Sequence, residues 1–265
     1  MGIVNVTPDS FSDGGRFMGP AAALDHARRL IAEGADLLDI GGESTRPGAA
    51  PVTEAEELDR VIPLIAAIRA ESAAPISIDT MKPAVAEAAV AAGASVWNDV
   101  TALSHAATSL ETAARLGCDV VLMHMRGGPA TMQDDPAYED VVAEVSAFLL
   151  TRAEAAMAMG VARGRILLDP GIGFGKTTAH NLELLAHLDR IVALGFPVLL
   201  GASRKRFIGA LAGRAAGAEE RLGGSIAAAL AGAAAGCAVV RVHDVAETVQ
   251  ALATAAAIED ARGRR

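Results

Sequence analysis

Eight short runs of β-branched and aliphatic residues recur along this chain, and a helix-patterned segment follows each one. The runs fall at 2–6, 37–41, 75–79, 95–100, 119–125, 166–169, 197–201 and 238–242. Strands alternating with helices lie parallel, because each helix carries the chain back to the start of the next strand. Eight such units fill a chain of roughly 250 residues when they close on themselves. An open, doubly wound sheet is the competing arrangement, and the count of eight favours closure. The expected fold is an α/β, (β/α)8 TIM barrel, one domain over residues 1–265.

The punctuation agrees. Leu58, Val61, Ile62, Ile65 and Ile68 make one apolar helix face, and Val141, Val142, Val145, Phe148 and Leu149 make another. Leu182, Leu185 and Leu188 suggest a third. Thr53 with Glu56 three residues on is a capping-box pattern. Gly34, Gly93, Gly117, Gly160, Gly195 and Gly236 each stand between a helical run and a strand, where a helix ends in the left-handed conformation.

Such barrels carry their chemistry at the C-terminal ends of the strands. Here those ends are polar. Strand one ends in Asn5, and strand two contains Asp39 and runs into Gly42-Glu43-Ser44-Thr45-Arg46. Strands three, four and six end in Asp79, in Asn98 with Asp99, and in Asp169. Strand five carries Met123, His124 and Met125. Strand seven runs into Ser203, Arg204 and Lys205, and strand eight carries Arg241 and His243. A single Asp there reads equally well as a helix cap. Arg, Lys and His at the same end do not. Asp79, Asn98 and Asp169 offer acceptors and an amide to a planar heterocycle with N–H groups. Arg204, Lys205, Arg241 and His243 offer cations to an anion. Long loops after strands one and two add Asp9, Asp13, Thr45 and Arg46, and their Gly and Pro content marks them as expected lids.

Composition narrows the partners. The net charge is −9 and only 3% of residues are aromatic, so neither a polyanion surface nor a base-stacking platform is expected, and nucleic acid is excluded as a partner. The uncharged stretch between Arg221 and Arg241 is Ala-rich and interrupted by Gly232 and Gly236, a helix and a strand rather than a membrane span. Cys118 and Cys237 stand alone without metal-type spacing. With no secretory segment ahead of Gly2, a cytoplasmic location is expected. The Gly-rich run 171–177 fails both phosphate-loop patterns, since Pro170 and Lys176 stand where glycines are needed, and reads as a tight turn. His26, His105, His180 and His187 lack ligand spacing and read as surface residues; Trp97 reads as core, facing the outer helices.

Taken together, these residues resemble one family. The runs 2–15 (Gly-Ile-Val-Asn-Val-Thr-Pro-Asp-Ser-Phe-Ser-Asp-Gly-Gly) and 41–48 (Gly-Gly-Glu-Ser-Thr-Arg-Pro-Gly) are similar to the two signatures of the dihydropteroate synthases. The likeness continues through 78–80, Asn98-Asp99, 123–125, 169–171, 203–205 and 241–245. It implies a transferase that joins (7,8-dihydropterin-6-yl)methyl diphosphate to p-aminobenzoate with Mg²⁺, releasing pyrophosphate. It implies that Asn5 serves the metal–pyrophosphate end and that Asp79, Asn98, Asp169 and Lys205 hold the pterin. Asp79, Asp169 and Lys205 are then the catalytic set. Thr45, Arg46, Met123 and Val242 line the substrates, Arg241 and His243 meet the diphosphate, and the chain forms a homodimer, through late Ala-rich helices such as 225–235. Arg206 stands where many relatives have Ser, near the expected carboxylate of p-aminobenzoate, and the sequence starts almost at strand one, where relatives commonly carry a hairpin, so that either the barrel floor is open or the true start lies upstream. A methyltetrahydrofolate-binding barrel would share Asp79, Asn98 and Asp169 but needs no diphosphate site. A non-catalytic paralogue would have lost site residues, and none is missing.

Overall fold

The computed structural model describes residues 1–6, 20–44, 50–128, 132, 136–212 and 217–263. Its strands are β1 (Gly2–Asn5), β2 (Leu38–Gly41), β3 (Ile76–Asp79), β4 (Val96–Asp99), β5 (Asp119–Met123), β6 (Ile166–Asp169), β7 (Leu199–Leu200) and β8 (Val239–Val240). The helices are α1 (Pro20–Ala32), α2 (Glu54–Glu71), α3 (Pro83–Ala91), α4 (Ser109–Leu116), α5 (Val141–Ala158), α6 (Thr178–Ala186), α7 (Leu188–Val192), α8 (Arg206–Leu211), α9 (Leu222–Ala234) and α10 (Val245–Gly263).

Strands β1 to β6 pair in chain order, all parallel, and β7 pairs with β8 in the same sense. Parallel bridges at Leu168–Val198 and Gly2–Val242 join these two sheets at both edges, so the ring closes. Closure rests on a few main-chain bonds: Leu168 N to Pro197 O (2.9 Å), Ile3 N to Val242 O (3.1 Å) and Val242 N to Met1 O (2.9 Å). The Met1 amino group adds a bond to Val240 O at 2.9 Å. All eight expected strands are present; β7 and β8 are shorter than the apolar runs that announce them.

Side-chain alternation divides each strand between two cores. Val4, Leu38, Ile40, Ile76, Ile78, Trp97, Val120, Leu122, Ile166, Leu168, Leu200 and Val242 pack outward against the helices. Met1, Val96, Val121 and Leu199, with Leu37, Leu167 and Val239, fill the barrel floor. Trp97 is buried in the outer layer as expected, and its indole N–H donates to Thr80 O at 2.8 Å.

The helix boundaries follow local chemistry. Thr53 and Glu56 form the full capping box of α2. The six glycines expected at helix ends all take positive φ, from +60° at Gly117 to +118° at Gly93. One expected face is right in part: Leu188 is buried and Leu185 packs half-buried against the core. Leu182 is exposed, and Asn181, Leu184, Leu188 and Ile191 are the buried positions, because the chain breaks at His187 into α6 and α7. Two histidines are also less superficial than expected. His26 is half-buried with Nε2 3.2 Å from Ile3 O, and His180 completes a capping box with Thr177 and packs edge-on against Tyr138.

Candidate active site

The residues on the floor-facing side of each strand continue upward into the polar mouth. On β1 that side gives Asn5; on β2, Asp39 and Gly41; on β3, Ser77 and Asp79; on β4, Asn98; on β5, Met123; on β6, Asp169; and after β8, Arg241. Two glycines keep the mouth open. A side chain at Gly41 would touch Asp79 and the Asn5 amide oxygen, and one at Gly201 would lie 3.9 Å from both Asp169 and Arg241.

Arg241 is the centre of this ring. Its Nε donates to Asp39 Oδ2 at 2.5 Å and its Nη2 to Asp79 Oδ2 at 2.7 Å. Asp39 is 0% exposed and also accepts from Asn98 Nδ2 at 3.3–3.4 Å. One guanidinium therefore serves two carboxylates. Burial pushes Asp79 up to about 7, against the pull of Arg241 and with the help of the Asp39 charge. Burial works against the charge on Arg241, but Asp39 and Asp79 outweigh it and hold its pKa above the ordinary value. The guanidinium fork has five donors, and among the described residues Nη1 makes no hydrogen bond.

Asp169 closes the other side. Its Oδ1 accepts from Gly171 N at 2.7 Å, and burial raises its pKa while the Lys205 charge opposes that rise. Lys205 donates to Ile172 O and stands 4.3 Å over the Phe174 ring. Burial lowers the Lys205 ammonium to about 8, with Asp169 pulling the other way. Ser203 Oγ lies 3.0 Å from His243 Nδ1 and accepts from the His243 main-chain N at 3.2 Å, which fixes the imidazole beside Arg241.

Several expectations need correction. Val242 does not face the site: it alternates with Arg241 and His243, is 6% exposed, and belongs to the outer core. Arg204 is not an anion ligand. It sits at φ +58° with its fork on Asp244, at 2.6 and 3.1 Å, and ties the β7 loop to the β8 loop. Asp99 is a cap, accepting from Thr101 N and Oγ1 (2.7 Å each) and Leu103 N (3.0 Å). Arg206 is exposed at the first position of α8. Asp9, Asp13, Thr45 and Arg46 lie outside the described residues. Asn5, Asp79, Asn98, Met123, Asp169, Lys205, Arg241 and His243 all stand at the same barrel end. Asp39 was noted in the sequence only as a polar residue within strand two, and Lys176 and Phe174 only as parts of the Gly-rich turn; none was given a role, though a charge inside the apolar run Leu38–Gly41 is a signal.

This is an α/β barrel whose mouth gathers the acceptors Asp79, Asn98 and Asp169 with Lys205, Arg241 and His243, acidic and basic groups together at one end. The model of the pterin binding enzyme family matches residues 1–243. A dihydropteroate synthase of Escherichia coli K12 is 48% identical over 252 residues, covering 95% of this chain and 88% of its own. A Xanthomonas albilineans dihydropteroate synthase solved with 4-aminobenzoic acid superposes with a TM-score of 0.91 at 56% identity, covering 98% of this chain and 92% of its own. The same enzyme in complex with 7,8-dihydropteroate gives 0.88 at 53% identity, covering the same 98% and 92%. The chain belongs to the pterin binding enzyme family, in its dihydropteroate synthase branch.

Proposed function

We propose that this chain is a transferase of folate biosynthesis, condensing (7,8-dihydropterin-6-yl)methyl diphosphate with p-aminobenzoate to 7,8-dihydropteroate and pyrophosphate. The observation that carries this is the meeting of Asp79, Asn98, Asp169 and Lys205 with Arg241 and His243 in one barrel mouth. The complexes of the Xanthomonas relative with 4-aminobenzoic acid and with 7,8-dihydropteroate supply the substrate and product classes.

In this reading Asp79, Asn98 and Asp169 accept from and donate to the pterin edge, and Lys205 and Met123 flank the ring. Arg241 Nη1 and His243 face the diphosphate, and the loop residues Thr45 and Arg46 cover the second substrate. The C–O bond between the pterin methylene and the diphosphate breaks first, its electron pair leaving with the diphosphate. Asp79 and Asp169 stabilise the positive charge left on the methylene. The p-aminobenzoate amine then forms the C–N bond and releases one proton. A secondary deuterium isotope effect well above unity at that carbon, with chemistry rate-limiting, is the expected signature; a value near unity counts against this order.

Mg²⁺ fits the donor chemistry. Among the described residues no group of three His, Cys, Asp or Glu forms a metal cage. Mg²⁺ commonly takes one or two protein oxygens and keeps water and substrate phosphates for the rest. The Asn5 amide oxygen, turned into the mouth beside Gly41, is such an oxygen. Bound there, the ion would neutralise charge on the departing diphosphate.

The reading extends to a cytoplasmic homodimer of a single domain spanning residues 1–265. Among the described residues no helix is long and apolar enough to cross a membrane. Helix α9 buries Ser225, Ala228, Ala229 and Gly232 and leaves Ala227, Ala231 and Ala234 exposed, small residues over which another helix can pass closely. Sedimentation at micromolar concentration reads the oligomeric state. For the activity itself, pyrophosphate release should require pterin diphosphate, p-aminobenzoate and Mg²⁺ together; an intact protein that releases none sinks the proposal.

A further inference from the structure

Lys176 takes no part in the chemistry just described, yet its ammonium is buried deep beside the site. Lys176 is 3% exposed, and among the described residues no carboxylate bonds it. It donates instead to Gly171 O (2.9 Å), Phe174 O (2.9 Å) and His124 O (3.3 Å), and lies 2.9 Å from His124 Nδ1. The protonated form has three hydrogens for these four acceptors and no lone pair, so Nδ1 accepts by sharing one of them. Burial, with the Lys176 and Arg126 charges, lowers His124 to about 3, which keeps the imidazole neutral and fit to accept. Burial pushes the Lys176 ammonium down to about 7 against the pull of the Asp169 charge, so the group is costly to keep charged, and the geometry shows what it secures.

The segment it grips is the turn between β6 and α6. Gly171 O and Phe174 O point down to Lys176, while Ile172 O, between them, accepts from Lys205 on the other side. The Phe174 ring lies under the Lys205 ammonium. Outer bonds pin the same turn to its surroundings: Gly173 N donates to Asn181 Oδ1 at 2.7 Å and the Tyr138 hydroxyl to Gly175 O at 2.8 Å. The turn is a shelf clamped from below by one lysine, and the second lysine rests on top.

We propose that Lys176 is a positioning residue for the synthase reaction, acting through the turn at 171–175 to set where Lys205 meets the pterin substrate. It rests on the preceding assignment of Lys205 to that substrate. A purely structural lysine would lower the folded fraction and leave the kinetics of the folded enzyme alone.

A double-substitution cycle separates the two. Lys176→Met, Lys205→Met and the double variant are purified with Mg²⁺, checked for folding by Trp97 fluorescence, and assayed for kcat and KM with both substrates. Folded Lys176→Met should raise KM for the pterin diphosphate at least about tenfold, the scale of a misplaced binding group. On the Lys205→Met background the same change should cost no more than about twofold, because the group it positions is already gone. An unchanged KM, or effects that multiply in full, overturns the proposal. If Lys176→Met does not fold, Lys176→Gln, whose amide keeps two donors, goes through the same cycle with the same two outcomes. The Nζ resonance of Lys205, followed by NMR against pH, gives a readout that needs no turnover. Burial pushes this ammonium down to about 8, and its titration midpoint should differ between the unaltered chain and the Lys176 variant; equal midpoints overturn the proposal. Failure of the synthase assignment is distinct, for then the unaltered chain itself shows no turnover while the resonance test still stands.

Discussion

Arg241 sits between Asp39 and Asp79, one cation for two buried carboxylates, and much of the behaviour of the site follows from that shortage. Asp79 is the group left short. Burial carries it to about 7, so it gains a proton as the pH falls through that value. The protonated acid loses an acceptor, and affinity for an uncharged pterin should weaken by up to about tenfold for each pH step below 7. Calorimetry with 6-hydroxymethylpterin reads this, and a flat profile from pH 6 to 8 refutes it. Stability runs the opposite way. The folded chain holds a proton on Asp79 that the unfolded chain releases at the ordinary carboxylate value. Stability from this group is therefore greatest on the acid side and is lost as the pH rises toward and through about 7. Removing the other carboxylate should be worse for folding: Asp39→Ala leaves Arg241 half-paired in a buried setting and should cost about 3 kcal/mol in urea unfolding. At this scale the strand-end rule made Asp79, Asn98, Asp169, Lys205, Arg241 and His243 legible in the sequence. It could not show which of them bond to one another, because Asp39 and Arg241 meet only when the ring closes. It misled at Asp99 and Arg204, whose charges serve the loops that carry them, while Val242, which came from the resemblance and not from the rule, has its side chain turned outward by period-two alternation.

Elements were read more surely than bonds, since the strands announced themselves by alternation and the helix ends by glycine. The β6–α6 turn is where that reading stopped. Its glycines marked a tight turn, but nothing in the local sequence showed that the carbonyls would converge on Lys176, because that bond set needs His124 from the neighbouring strand. The glycine at 171 is obligatory on two counts. It takes φ +66°, and a side-chain carbon there would lie 1.9 Å from His124 O. Gly171→Ala should therefore cost at least about 2 kcal/mol and raise KM for the pterin substrate. A melting temperature and KM equal to those of the unaltered chain would show that the turn can open without consequence. The division of α6 from α7 escaped the sequence reading for a similar reason. Leu182, Leu185 and Leu188 keep a helical spacing, and only packing against α5 and the barrel decides that Leu184 and Leu188 go inward.

For the molecule as a whole, one closed ring and one continuous outer core predict one unfolding transition. Trp97, the single tryptophan, lies in the outer core with its indole bonded to Thr80, so its fluorescence reports on that layer. Its urea transition should coincide with that of far-UV circular dichroism; two separated midpoints would mean that parts of the barrel unfold independently. The ring is also closed between its first strand and the segment that follows β8. Ile3 N donates to Val242 O, Val242 N to Met1 O, and the Met1 amino group to Val240 O. A nascent chain leaving the ribosome thus carries β1 with one bare edge until residue 242 has emerged. Asp39 and Asp79 wait just as long for their cation. Until then the polypeptide has an unpaired sheet edge and an uncompensated acidic centre, an aggregation-prone state that the arrival of the last strand ends.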